Sequence, residues 1–279
     1  MNSFVKRTVF GVLYLAVMLA GLLLYDWLFA ILFSVITLVM MREFYRMTCT
    51  EAVMKYIGNF AAFLGFCIFY VTFGSFVNPG NNPYGALCVA LAVSFLLVAV
   101  ISIVMSDKFG IRDTLPIYAG FVYIALPMSL SSAVMFHEGA FSGLLMLSFF
   151  IIIWASDVGA YCFGMLFGQK GGKKLCPAIS PKKSWAGAWG GLFMAILAGI
   201  IMKYAGLIAF PLVHVIAMSA VMNILSVFGD LFESLWKRAA GIKDSGNVIP
   251  GHGGLMDRLD SALFAIPAGF IYLAVFGLV

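Results

Sequence analysis

From residue 8 to residue 278 the sequence is a succession of apolar runs separated by short polar breaks. The runs fall at 8–25, 27–47, 56–77, 84–105, 115–136, 141–168, 187–209, 211–235 and 261–278. A helix needs about 20 residues to cross roughly 30 Å of hydrocarbon, and these runs are near that length. Strands of an outer-membrane barrel alternate polar and apolar at every second residue, and these runs do not. The breaks carry turn chemistry, notably Asn78-Pro79-Gly80-Asn81-Asn82-Pro83 and the charged stretch from Asp107 to Asp113. The expected fold is an all-α integral membrane protein of about nine transmembrane helices. Residues 1–140 are read as one set of membrane helices, shaping a lipid cavity or a subunit interface. Residues 141–279 form a second set that carries the long polar segments 169–186 and 236–260.

Composition closes off the other classes. Hydrophobic residues make up 63% of the 279 residues and charged residues 10%, against about 45–50% and about 25% in soluble domains. Such a chain cannot cover itself with polar surface, which excludes a soluble enzyme, a disordered protein and a disulfide-stapled secreted module. The five cysteines show no CxxC pair and no histidine at metal-ligand spacing, so they read as passive thiols. No small-residue cleavage motif follows the first run, so no cleavable signal is expected.

The net charge of +5 means little until the charges are located. With the N-terminus in the cytoplasm and strict alternation, all of the 17 Lys and Arg except Lys203 fall on the inner side. That agreement with the positive-inside rule supports nine spans, N-terminus inside and C-terminus outside. It gives a multi-pass inner-membrane protein and no reason to expect nucleic acid.

Polar groups inside apolar runs are costly and mark function. Asp157 sits in the run Ile151-Ile152-Ile153-Trp154-Ala155-Ser156-Asp157. Next, the segment 169–186 combines glycines and five lysines with Ser180-Pro181-Lys182-Lys183. There Ser180 reads as a helix N-cap and Pro181 as the first helical residue. A helix N-terminus beside Lys182 and Lys183 is an anion site, most naturally for phosphate. Lys170, Lys173 and Lys174 read equally well as contacts to anionic headgroups. The densest cluster follows. Asp230 and Glu233 end the eighth run, Lys237, Arg238 and Lys243 come next, and Pro250-Gly251-His252-Gly253-Gly254-Leu255-Met256-Asp257-Arg258-Leu259-Asp260 opens the ninth. Asp257 and Asp260, three apart, share a helix face, as do Asp230 and Glu233. Carboxylates crowded at helix ends repel one another, and a hard divalent cation removes that penalty. His252 lacks the partners of a zinc set.

The 27 residues from Ser234 to Asp260, with Ser234-Leu235-Trp236-Lys237-Arg238, Lys243-Asp244-Ser245-Gly246 and the Pro250–Asp260 block at fixed spacing, resemble the signature of phosphatidate cytidylyltransferases, or CDP-diacylglycerol synthases. Asp157-Val158-Gly159-Ala160-Tyr161 and Ser180-Pro181-Lys182-Lys183-Ser184-Trp185 look like the same family. The likeness covers about residues 151–279. One position departs from it: Ala186 follows Trp185 where many members carry Glu or Gln.

The resemblance implies that CTP and phosphatidate give CDP-diacylglycerol and pyrophosphate at the cytoplasmic face of the membrane, with Mg²⁺ and a monovalent cation such as K⁺ as cofactors. It implies metal ligands at Asp230 and Asp257, with Asp260 in the same site, and it is compatible with a homodimer. This chemistry needs no protein nucleophile, because the barrier is mostly repulsion between two polyanions. The residue assignments are then Asp230, Asp257 and Asp260 for the metal, and Ser180, Lys182 and Lys183 for the phosphates of one substrate. Lys237, Arg238, Lys243 and Arg258 are candidates for the other. Gly253 and Gly254 let backbone approach an anion, His252 positions or protonates a leaving phosphate, and Asp157 is a supporting group or part of a cation site in the membrane. Two readings stay open beside this one: a transporter of a phosphorylated or anionic solute and a CTP-dependent polyprenol kinase. A CDP-alcohol phosphotransferase would carry an Asp-rich helix motif of different spacing, which is not found here.

Overall fold

The structure, a computed structural model, describes residues 3–78, 80–137, 139–168, 172–249, 251 and 253–278. Among them the helices are α1 (Ser3–Leu23), α2 (Asp26–Thr48), α3 (Glu51–Val77), α4 (Pro83–Val104), α5 (Ile111–Met135), α6 (Leu144–Phe167), α7 (Trp185–Tyr204), α8 (Leu212–Ala239) and α9 (Met256–Val275). Eight of these are long and apolar enough to cross a membrane, while α1 has a shorter apolar stretch, Thr8–Leu23. The protein is an all-α, multi-pass membrane protein. Lys6, Arg7, Lys170 and His252 carry expectations that lie outside the described residues or side chains.

Polar side chains close the helix starts. The Thr50 hydroxyl accepts from Val53 N at 3.4 Å, Asn82 Oδ1 accepts from Gly85 N at 2.9 Å, and Asp113 Oδ2 accepts from Gly110 N at 2.8 Å. Each satisfies an N–H that has no partner inside its own helix. Two helices contain a π turn, Met54–Gly58 in α3 and Phe121–Ala125 in α5. The second lies between Pro116 and Pro127, which lack the N–H that a regular ladder needs.

Two boundaries correct the expectations. Ser180 is not a helix N-cap and Pro181 does not open a helix. Lys174–Cys176 (β1) and Ser180–Ser184 (β2) instead form a two-stranded antiparallel hairpin, with Lys174 opposite Ser184 and Cys176 opposite Ser180. A residue before proline is pushed towards extended backbone, which suits Ser180 to a strand. The cap is Ser184, whose hydroxyl accepts from Gly187 N at 3.2 Å. The segment 236–260 is also less of a loop than expected, since α8 runs on to Ala239 and α9 begins at Met256.

The chain forms two compact units, Met1–Phe141 with Ala240–Arg258, and Ser142–Ala239 with Leu259–Val279. In the first, α2 packs on α3 through an aromatic core. The Phe29 ring centroid lies 4.3 Å from that of Phe33 and 5.9 Å from that of Phe69. The Tyr45 hydroxyl donates to the Ile117 carbonyl at 2.9 Å, tying α2 to α5. Burial pushes the Cys49 thiol up to about 11, so it stays protonated at neutral pH.

In the second unit, α6 and α7 meet along small residues, which lets their backbones approach closely. A Cβ on Gly159 would lie 2.6 Å from the Gly190 carbonyl oxygen and 2.7 Å from Met194 Cγ. Helix α8 packs on this pair, and Asn223 Nδ2 donates to the Ser156 hydroxyl at 2.6 Å.

Overpacking such a contact costs about 1–3 kcal/mol. Gly159→Ala is therefore expected to lower the thermal midpoint of the detergent-purified protein. Gly74→Ala on α3, where a Cβ meets nothing within 4 Å, is expected to leave it unchanged or slightly raised.

Candidate active site

The residues singled out from the sequence fall on two constructions, one in each unit. In the first unit the segment 240–258 folds around carboxylates. Ile249 pairs with Gly253 in an antiparallel bridge, with Ile249 N donating to Gly253 O at 3.0 Å. Asp257 lies in the first turn of α9. Its Oδ2 accepts from Ser245 N at 2.9 Å, the Ser245 hydroxyl at 3.0 Å and Gly254 N at 2.8 Å. Three donors on one oxygen fix the orientation of the carboxylate and stabilise its charge. Lys243 and Arg258, near the two ends of this segment, are exposed.

Gly253 and Gly254 bring backbone close to the Asp257 carboxylate. Gly253 has φ +85°, and a Cβ there would sit 2.8 Å from Asp257 Oδ2. Glu43 of α2, not anticipated as a site residue, joins this construction. Its Oε1 accepts from Leu255 N at 3.1 Å and its Oε2 from Met256 N at 2.8 Å. The signal that could have found it was the one used for Asp157: an acidic residue in an apolar run, here Met40-Met41-Arg42-Glu43-Phe44-Tyr45.

The second unit builds its half on α8. Ser219, Asn223, Ser226, Asp230, Glu233 and Lys237 recur at spacings of three and four, so they form one polar stripe along a largely apolar helix. Lys183 of β2 pairs with Asp230 at 2.5 Å. Alternation along the strand separates it from its neighbour Lys182, which is exposed. Ser180 is half-buried in the same strand. Lys237 pairs with Glu233 at 2.6 Å, one turn away, and both are buried. Lys237 therefore holds a carboxylate of its own helix, while Arg238 beside it is exposed. Asp260 is half-buried and its Oδ1 accepts from Ser261 N at 2.6 Å. The negative charges of Asp230, Glu233 and Asp157 all bear on it. Asp157, thirteen positions beyond Leu144 on α6, is exposed.

Among the described residues, no three Asp, Glu, His or Cys side chains are gathered tightly enough to enclose a metal ion by themselves. The second unit offers hard oxygen donors and two lysines. That arrangement can bind and orient phosphoryl oxygens, and it fits a cation that keeps most of its own water.

The model of the Cytidylyltransferase family matches residues 5–276. A protein of Haemophilus influenzae named phosphatidate cytidylyltransferase is 36% identical over 228 residues, 74% of this chain and 76% of the relative. Proteins of the same name from Staphylococcus epidermidis and Staphylococcus aureus are each 33% identical over 178 residues, 63% of this chain. The aligned stretch spans 65% of the length of these Staphylococcus relatives.

The Gly253 turn generates a stability prediction. Gly253→Ala meets both an unfavourable φ and a collision with Asp257, whereas Gly80→Ala, at φ +94° with nothing within 4 Å, meets only the first. Strained positions of this kind cost about 1–3 kcal/mol. Gly253→Ala is expected to lower the denaturation midpoint more than Gly80→Ala, measured side by side in the same detergent.

Proposed function

Because the chain belongs to the cytidylyltransferase family, we propose that it transfers the cytidylyl group of CTP to phosphatidate, giving CDP-diacylglycerol and pyrophosphate. A phosphate oxygen of phosphatidate attacks the α-phosphorus of CTP. The bond from that phosphorus to the bridging oxygen breaks, and pyrophosphate leaves with the electron pair. The observation that best supports the reading is the meeting of Lys183 with Asp230, on a helix whose Asp230 and Glu233 bear on Asp260, in a chain that is otherwise nearly all apolar.

The roles follow from charge. Both substrates are polyanions, so the protein must hold cations near their phosphates and fix them in line. In this reading Lys182, Arg238, Lys243 and Arg258 bind phosphate oxygens. Lys183, fixed by Asp230, orients one phosphate, and the Gly253-Gly254 turn keeps Asp257 in place. Ser180 supports the strand that carries the two lysines, and Lys237 keeps Glu233 neutralised. His252 stays a candidate for positioning the leaving phosphate, and Asp157 for supporting the carboxylates of the second unit.

The carboxylates proposed for Mg²⁺ are Asp230 and Asp260, with Asp257 three residues before Asp260 on α9. They are hard oxygen donors, and Mg²⁺ needs only one or two protein carboxylates beside water and substrate phosphate. When bound, the ion supplies neutralisation of charge on the phosphates. A monovalent cation such as K⁺ is proposed as a second occupant of the same carboxylate-rich region.

We further propose that the site faces the cytoplasm, with the N-terminus inside and the C-terminus outside. The distribution of Lys and Arg supports it. CTP is soluble and phosphatidate keeps its headgroup at the interface, so a site at the inner ends of helices serves both.

The test is product identification with labelled CTP, phosphatidate and Mg²⁺ in detergent. CDP-diacylglycerol and pyrophosphate in equal amounts are expected, and release of CDP with a newly phosphorylated lipid would overturn the reading in favour of a kinase. In the same assay Asp257→Asn is expected to lose at least about 100-fold in kcat, more than the usual effect of residues that merely support a metal ligand. Activity near wild type at saturating Mg²⁺ would remove Asp257 from the metal set.

A further inference from the structure

Helix α2 carries a carboxylate that no step of the proposed reaction uses. Glu43 is only 5% exposed, and both of its oxygens are engaged by the segment that leads into α9. Oε1 accepts from Leu255 N at 3.1 Å, and Oε2 accepts from Met256 N at 2.8 Å and from the Ser245 hydroxyl at 3.4 Å. The first N–H groups of a helix lack partners within it, and negative charge there is favourable. The group that answers them is ordinarily a neighbour in sequence. Here it lies 213 residues from Met256.

The surrounding sequence is cut to fit this carboxylate. A Cβ on Gly246 would strike Glu43 Oε1, and one on Gly254 would lie 2.7 and 2.8 Å from its two oxygens. Ser245 links Glu43 to Asp257, since its hydroxyl reaches Oε2 of the first at 3.4 Å and Oδ2 of the second at 3.0 Å. A hydroxyl has one proton, so it donates to one carboxylate at a time, and the shorter contact is to Asp257. The Gly254 N–H, beside the two amides that Glu43 holds, also donates to Asp257.

We propose that Glu43 is a positioning residue for cytidylyl transfer. By gripping the Leu255 and Met256 amides it fixes the first turn of α9 and so the direction of the Asp257 carboxylate. A displacement on the order of 1 Å at a reacting centre can cost about 100-fold in rate, so a latch of this kind acts on kcat rather than on substrate affinity. The kinetic half of the inference rests on the reaction proposed above, and the structural half does not.

The test compares wild type with Glu43→Gln and Glu43→Asp in two measurements. The first is hydrogen exchange of the amides of residues 254–256, made without substrate or metal. Glu43→Gln is expected to lose protection there, and unchanged protection overturns the proposal whether or not the protein proves to be a cytidylyltransferase. The second is steady-state kinetics. Glu43→Gln is expected to lower kcat roughly 10–100-fold with KM for CTP and phosphatidate within about twofold, and Glu43→Asp to recover part of kcat. Wild-type kcat in Glu43→Gln overturns the proposal, as does a loss matched by the fraction of unfolded protein and not recovered by Asp. Should Glu43→Gln fail to fold, Glu43→Asp replaces it in both measurements, with a partial loss of amide protection and of kcat expected and wild-type values in both overturning the latch. A wild-type protein that makes no CDP-diacylglycerol sinks the reaction, and the exchange measurement then judges Glu43 by itself.

Discussion

Hydrocarbon offers a peptide group nothing to bond with, so every N–H and C=O that enters it must be satisfied by the chain itself. Helices meet that demand along their length but not at their starts, where the first N–H groups remain open. The polar residues near helix starts in this protein are largely answers to that problem. Thr50, Asn82, Asp113 and Ser184 each answer it locally. Helix α9 is answered from a distance, by Glu43 on α2. That choice leaves the local residues of the 243–257 segment available for other work. Ser245 and Gly254 turn their donors to Asp257.

The second unit handles charge differently. Its carboxylates are not capped by backbone amides alone but meet lysines: Asp230 meets Lys183, and Glu233 meets Lys237. Burying charges that are paired costs far less than burying them singly. Asp260 has its neighbours' negative charges close by. Such a region holds opposite charge readily, whether it comes from a lysine, a metal ion or both. The membrane setting raises the stakes, because electrostatic forces are stronger where water is scarce.

Much of the fold was legible because its signal is local. A run of about 20 apolar residues needs no partner to be recognised as a span, and Asp157, Asp230, Asp257 and Asp260 stood out for the same reason, as charges inside or at the ends of such runs. The hairpin 174–184 was not legible. Ser180-Pro181 carries the signature of a helix start, yet Pro181 equally favours an extended residue before it, and the hydroxyl that caps α7 comes four residues later at Ser184. The spacing of Glu233 and Lys237 permits an ion pair along α8, but that the pair forms and is buried is visible only in the structure. Glu43 was missed for a different reason. Its partners are more than 200 residues away, and no periodicity within a window can reveal a contact of that separation.

That separation has a consequence for how the protein is made. Helix α2 leaves the ribosome and enters the membrane long before residues 245–256 exist. Throughout that interval the Glu43 side chain lacks the amides that later hold it. The first unit is thus completed by almost the last part of the chain to be synthesised, and its early helices must wait in an unfinished state. A chain interrupted before residue 245 leaves that carboxylate without any of these partners.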